Sequence, residues 1–449
     1  MQEDTICASA TPALNSPLSI IRISGPDTFR AVKSVFNRPD KIKHRYAVFG
    51  AIVCNDELID DVVMTCYEAP GSFTGEDMAE ISCHGNPIIV RKIIMLFNGL
   101  GVRLAEPGEF SKRAFLNGKI DLTEAEAINH IITARSSWEV SSAVKEMHGA
   151  LRDIVNELRE RIIKLKADIE AGIDFSEEDI ELVSFQEALR ELDKIKVYIA
   201  DLHTRCRIGE KISHGIDVPI IGRPNVGKSS ILNLILNRER AIVSDIPGTT
   251  RDLIGEIVQF AGMPVHLIDT AGITETDSHV ERMGIELSRK KIESSPVIIF
   301  VIEANSEITK QDMEIFNSIK NKKHIVLANK IDVADEAAVN SISQFGAVIP
   351  FSAKSGKGLP ELENALSNIL KNEFIDHENS FVADMRVIDI LQRALLIIDD
   401  IRNLLLQEGP HEIIAFELQD LIDCLSEITG EISQDNILES IFSRFCIGK

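Results

Sequence analysis

The sequence predicts a multidomain α/β protein. An α+β domain comes first, and a domain built on a mostly parallel sheet is inserted into a helical bundle. Three observations carry this. Short apolar runs in the middle of the 449-residue chain each end in a polar, glycine-containing motif. Helical apolar stripes flank that stretch on both sides. The first ~118 residues instead alternate short β-rich runs with turn residues.

In chain order, runs such as Ile20-Ile21-Arg22-Ile23 and Tyr46-Ala47-Val48-Phe49-Gly50 place strands in a domain of residues 1–118. From about Asp121 the spacing turns helical. Leu151, Ile154, Leu158, Ile162, Leu165 and Ile169 recur at steps of three and four, and Leu189, Leu192, Ile195, Ile199 and Leu202 repeat the pattern beyond a break near Gly172. Val387 to Leu405 and Phe416 to Leu425 are helical again. Such stripes read as plain core. The economical architecture is one helical domain formed by residues 119–213 and 373–449, with residues 214–372 inserted.

The inserted segment carries four motifs in order. Gly222-Arg223-Pro224-Asn225-Val226-Gly227-Lys228-Ser229-Ser230 follows Val218-Pro219-Ile220-Ile221 and precedes Ile231-Leu232-Asn233-Leu234-Ile235, where a strand turns into a helix. Glycines let backbone N–H groups close around phosphates, Lys228 reaches the β/γ oxygens, and the Ser229 hydroxyl can hold Mg²⁺. Asp269-Thr270-Ala271-Gly272 follows Val265–Ile268 and offers an Asp for the metal's water shell and a backbone that senses a γ-phosphate. Asn329-Lys330-Ile331-Asp332 follows Ile325–Ala328, and its carboxylate can accept two hydrogen bonds from guanine, which adenine cannot donate. Ser352-Ala353-Lys354 would close over the base. Four motifs at four predicted strand ends identify a Ras-like P-loop GTPase domain that binds GTP.

Composition fits a large soluble cytoplasmic protein. No apolar run approaches the roughly 18 residues that span a bilayer, and the acidic start Met1–Thr5 is no signal peptide. Seven scattered cysteines without a CxxC pair argue against a zinc site or a disulfide framework. A net charge of −22 excludes a generally basic nucleic-acid binder, so an RNA partner needs a local basic patch or another subunit.

The switch regions constrain hydrolysis. After Gly272, where a Gln often orients the attacking water, stands Ile273, and no arginine finger is evident. Another charge must stabilise the transition state. The Asn225 side-chain carbonyl, with carbonyls of Ser244, Ile246 and Thr249, could cage K⁺ beside the phosphates; alternatively Asn225 braces its own loop. Ser244-Asp245-Ile246-Pro247-Gly248-Thr249-Thr250 leads into the first switch, with Thr250 able to bind Mg²⁺. Glu281 is a candidate to position water, or a helix-start residue placed for the dipole.

Further residues carry a resemblance over the full length: Phe73-Thr74-Gly75-Glu76-Asp77 with Glu80 and His84-Gly85, the run Glu106 to Lys119, the Gly248-Thr249-Thr250-Arg251-Asp252 switch, and Cys446-Ile447-Gly448-Lys449. The chain resembles the tRNA-modification GTPases called MnmE or TrmE. The resemblance implies an N-terminal folate-binding and homodimerising domain, and an inserted GTPase domain whose K⁺-dependent dimerisation activates hydrolysis. It implies Asn225 as K⁺ ligand and Glu281 as catalytic acid, beside Lys228. Joint action with a flavin-dependent partner would attach a carboxymethylaminomethyl group to C5 of the wobble uridine in certain tRNAs. A formyl- or methylene-tetrahydrofolate would sit at Arg22, Glu80, Lys119 and Lys449, with Cys446 a possible functional thiol or a small packed hydrophobe. Residues Ala13–Ser19 depart from the family's Gly-rich stretch. Two other readings fit the nucleotide motifs: a ribosome-assembly GTPase, and a GTP-driven conformational scaffold whose partner does all the chemistry.

Overall fold

A computed structural model describes residues 4–12, 14–174, 184–239, 256–269, 292–334, 342–374, 380–432 and 435–448. Its contacts divide the chain into two compact units. One comprises Met1–Asn129, Glu146–Lys196 and Arg393–Lys449; the other comprises His130–Lys145 and Val197–Gln392.

The first unit contains a six-stranded sheet. Its strands are β1 (Ile6–Ser9), β2 (Ser16–Ser24), β3 (Ala47–Cys54), β4 (Glu57–Tyr67), β5 (Met78–Gly85) and β6 (Arg103–Leu104), in the spatial order β3-β4-β5-β2-β1-β6. Every pairing is antiparallel except β1 with β6. Period-two alternation buries Ile21 and Ile23 of β2 and Val62, Met64 and Cys66 of β4. These pack with Val32 and Val35 of helix Thr28–Val35 and Ile93 and Phe97 of helix Pro87–Gly99. Asn86 caps the latter helix by accepting the Ile88 N–H at 2.8 Å, and Pro87 follows where its missing N–H costs nothing.

Helices of the same unit bury most of the predicted stripe positions. Leu151, Leu158, Ile162, Leu165 and Ile169 of helix Ala150–Asp174 are buried, with Val155 taking the inward place expected of the half-buried Ile154. In helix His411–Thr429 Leu421, Ile422 and Leu425 are buried, but Phe416 falls on the outer face and is 64% exposed, and the two helices pack together. Arg159 ties the pair to Glu431, and Lys166 donates to Gln419 at 2.8 Å. The C-terminal helix Asp435–Phe442 buries Leu438 and Phe442, which cluster with Phe445, Phe115 and Leu122.

The second unit contains a sheet whose members are β7 (Ile216–Ile221), β8 (Glu256–Phe260), β9 (Met263–Asp269), β10 (Ile298–Glu303), β11 (His324–Asn329) and β12 (Val348–Pro350). Their spatial order is β12-β11-β10-β7-β9-β8. All neighbours are parallel except the edge pair β8–β9. Ile298 to Ile302 of β10 are fully buried, the continuous apolar run that a strand covered on both faces requires. One apolar cluster includes Val218, Ile220, Ile231 and Leu362, and another includes Ile221, Phe300, Ile319 and Phe345. Gly222, Asp269, Asn329 and Ser352, one from each motif, therefore lie at or just past the C-terminal ends of parallel strands, where open α/β sheets bind ligands.

Candidate functional site

The phosphate loop joins β7 to helix Lys228–Glu239. Asn225 sits in left-handed backbone at φ 65°, and Gly227 at φ 100° lies so close to Asn329 that a Cβ there would come within 2.3 Å of Asn329 Nδ2. Glycine at 227 is therefore a steric requirement. Asn329, 1% exposed at the end of β11, donates from Nδ2 to the Val226 carbonyl at 2.8 Å and accepts the Ala353 N–H on Oδ1 at 3.1 Å. This one side chain clamps three of the four motifs together.

Lys228 is buried, and its ammonium donates to the carbonyls of Gly222 and Arg223, each at 2.8 Å. Burial pushes its pKa down, and the nearby Asp269 carboxylate opposes that shift. The Ser229 hydroxyl donates to Asp269 Oδ2 at 2.6 Å. A hydroxyl and a carboxylate at one point form an oxygen donor set that suits Mg²⁺. Ser230 and Lys354 are exposed. The Asn225 side chain is exposed and has no hydrogen-bond partner among the described residues.

At the base-reading motif, Ser352 donates from Oγ to Asp332 Oδ1 at 2.8 Å, and that hydrogen bond holds the exposed carboxyl below its ordinary pKa. Lys330, left-handed at φ 67°, pairs with Glu303 at 2.7 Å. Asp332→Asn is expected to weaken GTP binding about 10- to 100-fold and to favour xanthosine nucleotides, since the amide reverses one donor–acceptor relation. Unchanged GTP affinity in a calorimetric titration would remove Asp332 from base reading.

Two anchors escaped the sequence. Arg223 donates from Nε to Asp312 Oδ1 at 2.7 Å and from Nη2 to Ser306 at 3.1 Å. Asp312 is fully buried and closes a capping box with Thr309 at the start of helix Lys310–Ile319. Glu303, the partner of Lys330, is the other. The Thr309-x-x-Asp312 spacing was a visible capping signal, but nothing in it pointed to residue 223.

The first unit holds a cavity of about 490 Å³, lined by Arg45, Thr65, Tyr67, Gly71, Ser72, Phe73, Met78 and Glu80. Arg22 and Glu80 face each other across paired strands β2 and β5, with Nε 2.9 Å from Oε1. Tyr67 donates to the other Glu80 oxygen at 3.3 Å, and burial together with that carboxylate raises the tyrosine pKa. Arg22 Nη1 also donates to the Gly448 carbonyl at 3.4 Å. Lys119 donates to the Pro70 carbonyl at 3.0 Å. Of the predicted positions, Glu80 lines this cavity, Arg22 pairs with that glutamate, and Lys119 bonds the residue before the lining Gly71. Cys446 is an exposed free thiol.

No residue of the Glu106–Lys119 run lines the cavity, and Arg113 acts behind it. Buried Arg113 bonds Asp4, Glu76 and Glu109, and Arg103 bonds Asp4 and Glu109. Burial works against the Glu109 charge, but the Arg103 hydrogen bond and its companions hold its pKa below the ordinary value. Glu76, fixed by Arg113 and Ser24, has its carbonyl bonded by Ser72, so the network sets the loop that carries Ser72 and Phe73.

Ser244, Asp245, Ile246, Pro247, Gly248, Thr249, Thr250, Thr270, Ala271, Gly272, Glu281 and Lys449 lie outside the described residues.

Parallel sheet, phosphate loop and base-reading motif define a P-loop GTPase. The rest of the chain specifies which kind. Residues 5–119 match the model for the GTP-binding protein TrmE N-terminus, and residues 122–446 match that for the MnmE helical domain. The tRNA modification GTPase MnmE of Aquifex aeolicus (strain VF5) is 42% identical over 99% of this chain and all of its own length. That of Clostridioides difficile (strain 630) is 37% identical over 100% of this chain and 99% of its own. A solved structure of Era in complex with MgGDPNP and nucleotides 1506-1542 of 16S ribosomal RNA is 30% identical, covering 34% of this chain and 56% of that one at a TM-score of 0.29. The chain belongs to the MnmE family of tRNA modification GTPases.

Proposed function

We propose that this GTPase, as a homodimer in the cytoplasm and together with a flavin-dependent partner protein, adds a carboxymethylaminomethyl group to C5 of the wobble uridine of certain tRNAs. The observation that carries the reading is the second site. A chain used only as a switch has no need of a cavity of about 490 Å³ edged by an Arg22–Glu80 pair that reaches the Gly448 backbone. A cavity of this size suits a cofactor. A carboxylate such as Glu80 can pair with a pterin N–H edge, while Arg22, Lys119 and Lys449 can meet carboxylates. When bound, a tetrahydrofolate derivative would supply the one-carbon unit. Among the described residues no helix is long and apolar enough to cross a membrane. Relatedness over the full length favours this reading over a ribosome-assembly GTPase.

In the nucleotide site Lys228 would leave its two carbonyl partners for the phosphates, and Ser229, Asp269 and Thr250 would hold Mg²⁺ and its water shell. Asn225, with Ser244, Ile246 and Thr249, would hold K⁺, which supplies the positive charge that an arginine finger provides elsewhere. Nucleoside analysis of tRNA from a deletion strain tests the whole reading, because unaltered wobble uridines would remove it.

Hydrolysis is expected to depend on K⁺. Na⁺, too small for a carbonyl cage sized to K⁺, should substitute poorly, and equal turnover in the two salts at matched ionic strength would discard the cage.

A further inference from the structure

A chain with 70 acidic and 48 basic side chains repels a tRNA backbone unless cations are concentrated somewhere. The first unit has such a place. Between Lys33 and Arg45, five cations (Lys33, Arg38, Lys41, Lys43 and Arg45) accompany a single acid, Asp40, and all five are exposed. The turn Pro39–Lys41 and the partly buried Ile42, which packs on the sheet core, set Lys41 and Lys43 on either side of an inward residue. Neither lysine has an ion-pair partner among the described residues. Arg38 donates to the Phe49 carbonyl at 3.2 Å, and Arg45 donates to the Gly71 carbonyl at 3.0 Å. Each guanidinium is thereby positioned with further N–H donors to spare.

Two aromatic side chains lie within the same strip. Tyr46 and Phe49 are 62% and 58% exposed, and Phe49 sits opposite Val63 in the β3–β4 register. Burial would be the ordinary state for such rings in a structural role. Cations interleaved with exposed aromatics suit single-stranded RNA, whose splayed bases stack on rings while the backbone meets the charges. The strip also leads to the cavity, since Arg45 lines it together with Tyr67 and Glu80.

We propose that the exposed face of residues 33–49 docks the anticodon arm of tRNA, with its phosphates on Lys41, Lys43 and Arg38 and its unpaired loop bases against Tyr46 and Phe49. A base at the end of this strip meets the cavity mouth at Arg45. The inference rests on tRNA being the substrate and adds where it is held.

The test measures tRNA affinity of the full-length protein across a KCl series. Lys41→Gln/Lys43→Gln is compared with Arg91→Gln/Lys92→Gln, an equal loss of charge from exposed positions on helix Pro87–Gly99 of the same unit. The first pair should weaken binding roughly tenfold and lower the slope of log affinity against log salt by about one per lysine. The second pair should change little, and both should keep the parental GTPase rate. Tyr46→Ala should weaken binding with the slope unchanged. Parental affinity in the Lys41/Lys43 variant overturns the docking surface, as does an equal loss in both pairs, which would mean that the charge acts diffusely. A monomer–dimer shift with tRNA affinity kept assigns the strip to a second copy of the chain and overturns the proposal too. Failure of the parental protein to bind tRNA at all would count against the substrate reading instead.

Discussion

Deleting Cys446–Lys449 is expected to abolish wobble-uridine modification while sparing GTP hydrolysis. The segment runs back across the N-terminal sheet. Its Cys446 carbonyl accepts the Gly108 N–H at 3.4 Å, Ile447 bridges Pro107, and Arg22 reaches the Gly448 carbonyl. Gly448 is held at φ 91°, where a Cβ would come within 2.2 Å of the Ser9 carbonyl, so the path admits only glycine there. The apolar anchors that dock the end of the chain, Leu438, Phe442 and Phe445, remain in the truncated protein. What is lost is the backbone partner of Arg22, the residue that also holds Glu80 at the cavity. No described contact of the phosphate loop or base-reading motif involves residues 446–448. Nucleoside analysis in cells carrying only the truncated protein, beside its purified GTPase rate, checks this. Normal modification would show the segment dispensable, and equal loss of both activities would indicate misfolding.

The parts of this protein that were legible in the sequence are the local ones. Gly222, Asp269, Asn329 and Ser352 each fall at or just past the end of an apolar run, and the structure places each at or just beyond a strand terminus, with Lys228 opening the helix that follows the first. The stripe from Leu151 to Ile169 was equally readable, because helical spacing is a property of one segment. Pairings across long sequence gaps were not. Arg113 meets Asp4 109 residues away, and Arg223 meets Asp312 89 residues away; neither partner stands in a periodic pattern. The family resemblance marked the Glu106–Lys119 run without revealing that its arginine acts on a loop through Glu76. Arg45 and Tyr67 were missed for a related reason. Their importance lies in sharing a cavity with Glu80, which depends on the β4–β5 register and on the turn at Gly71, not on any motif.

Glu281→Ala should leave nucleotide affinity nearly intact and slow hydrolysis about 10²- to 10⁴-fold, the range a general acid or base contributes. The groups that bind GTP are already supplied elsewhere. Gly222–Ser229 would cradle the phosphates, Ser229 and Asp269, already hydrogen-bonded, would hold Mg²⁺, and Asp332 with its partner Ser352 would read the base. None of these can take or give a proton to the attacking water in the right sense. With nucleotide bound, the Lys228 ammonium would turn from the Gly222 and Arg223 carbonyls to phosphate oxygens and Asp269 to the metal's shell, and the position after Gly272 is the inert Ile273. The family resemblance implies a proton-transfer role for Glu281. The two effects must separate in the measurement: single-turnover hydrolysis falls while the equilibrium affinity for a non-hydrolysable GTP analogue holds. A variant that hydrolyses GTP at the parental rate returns Glu281 to the start of a helix. One that loses affinity and rate in equal measure makes it a binding residue, since an interaction confined to the transition state lowers turnover without touching the ground-state complex.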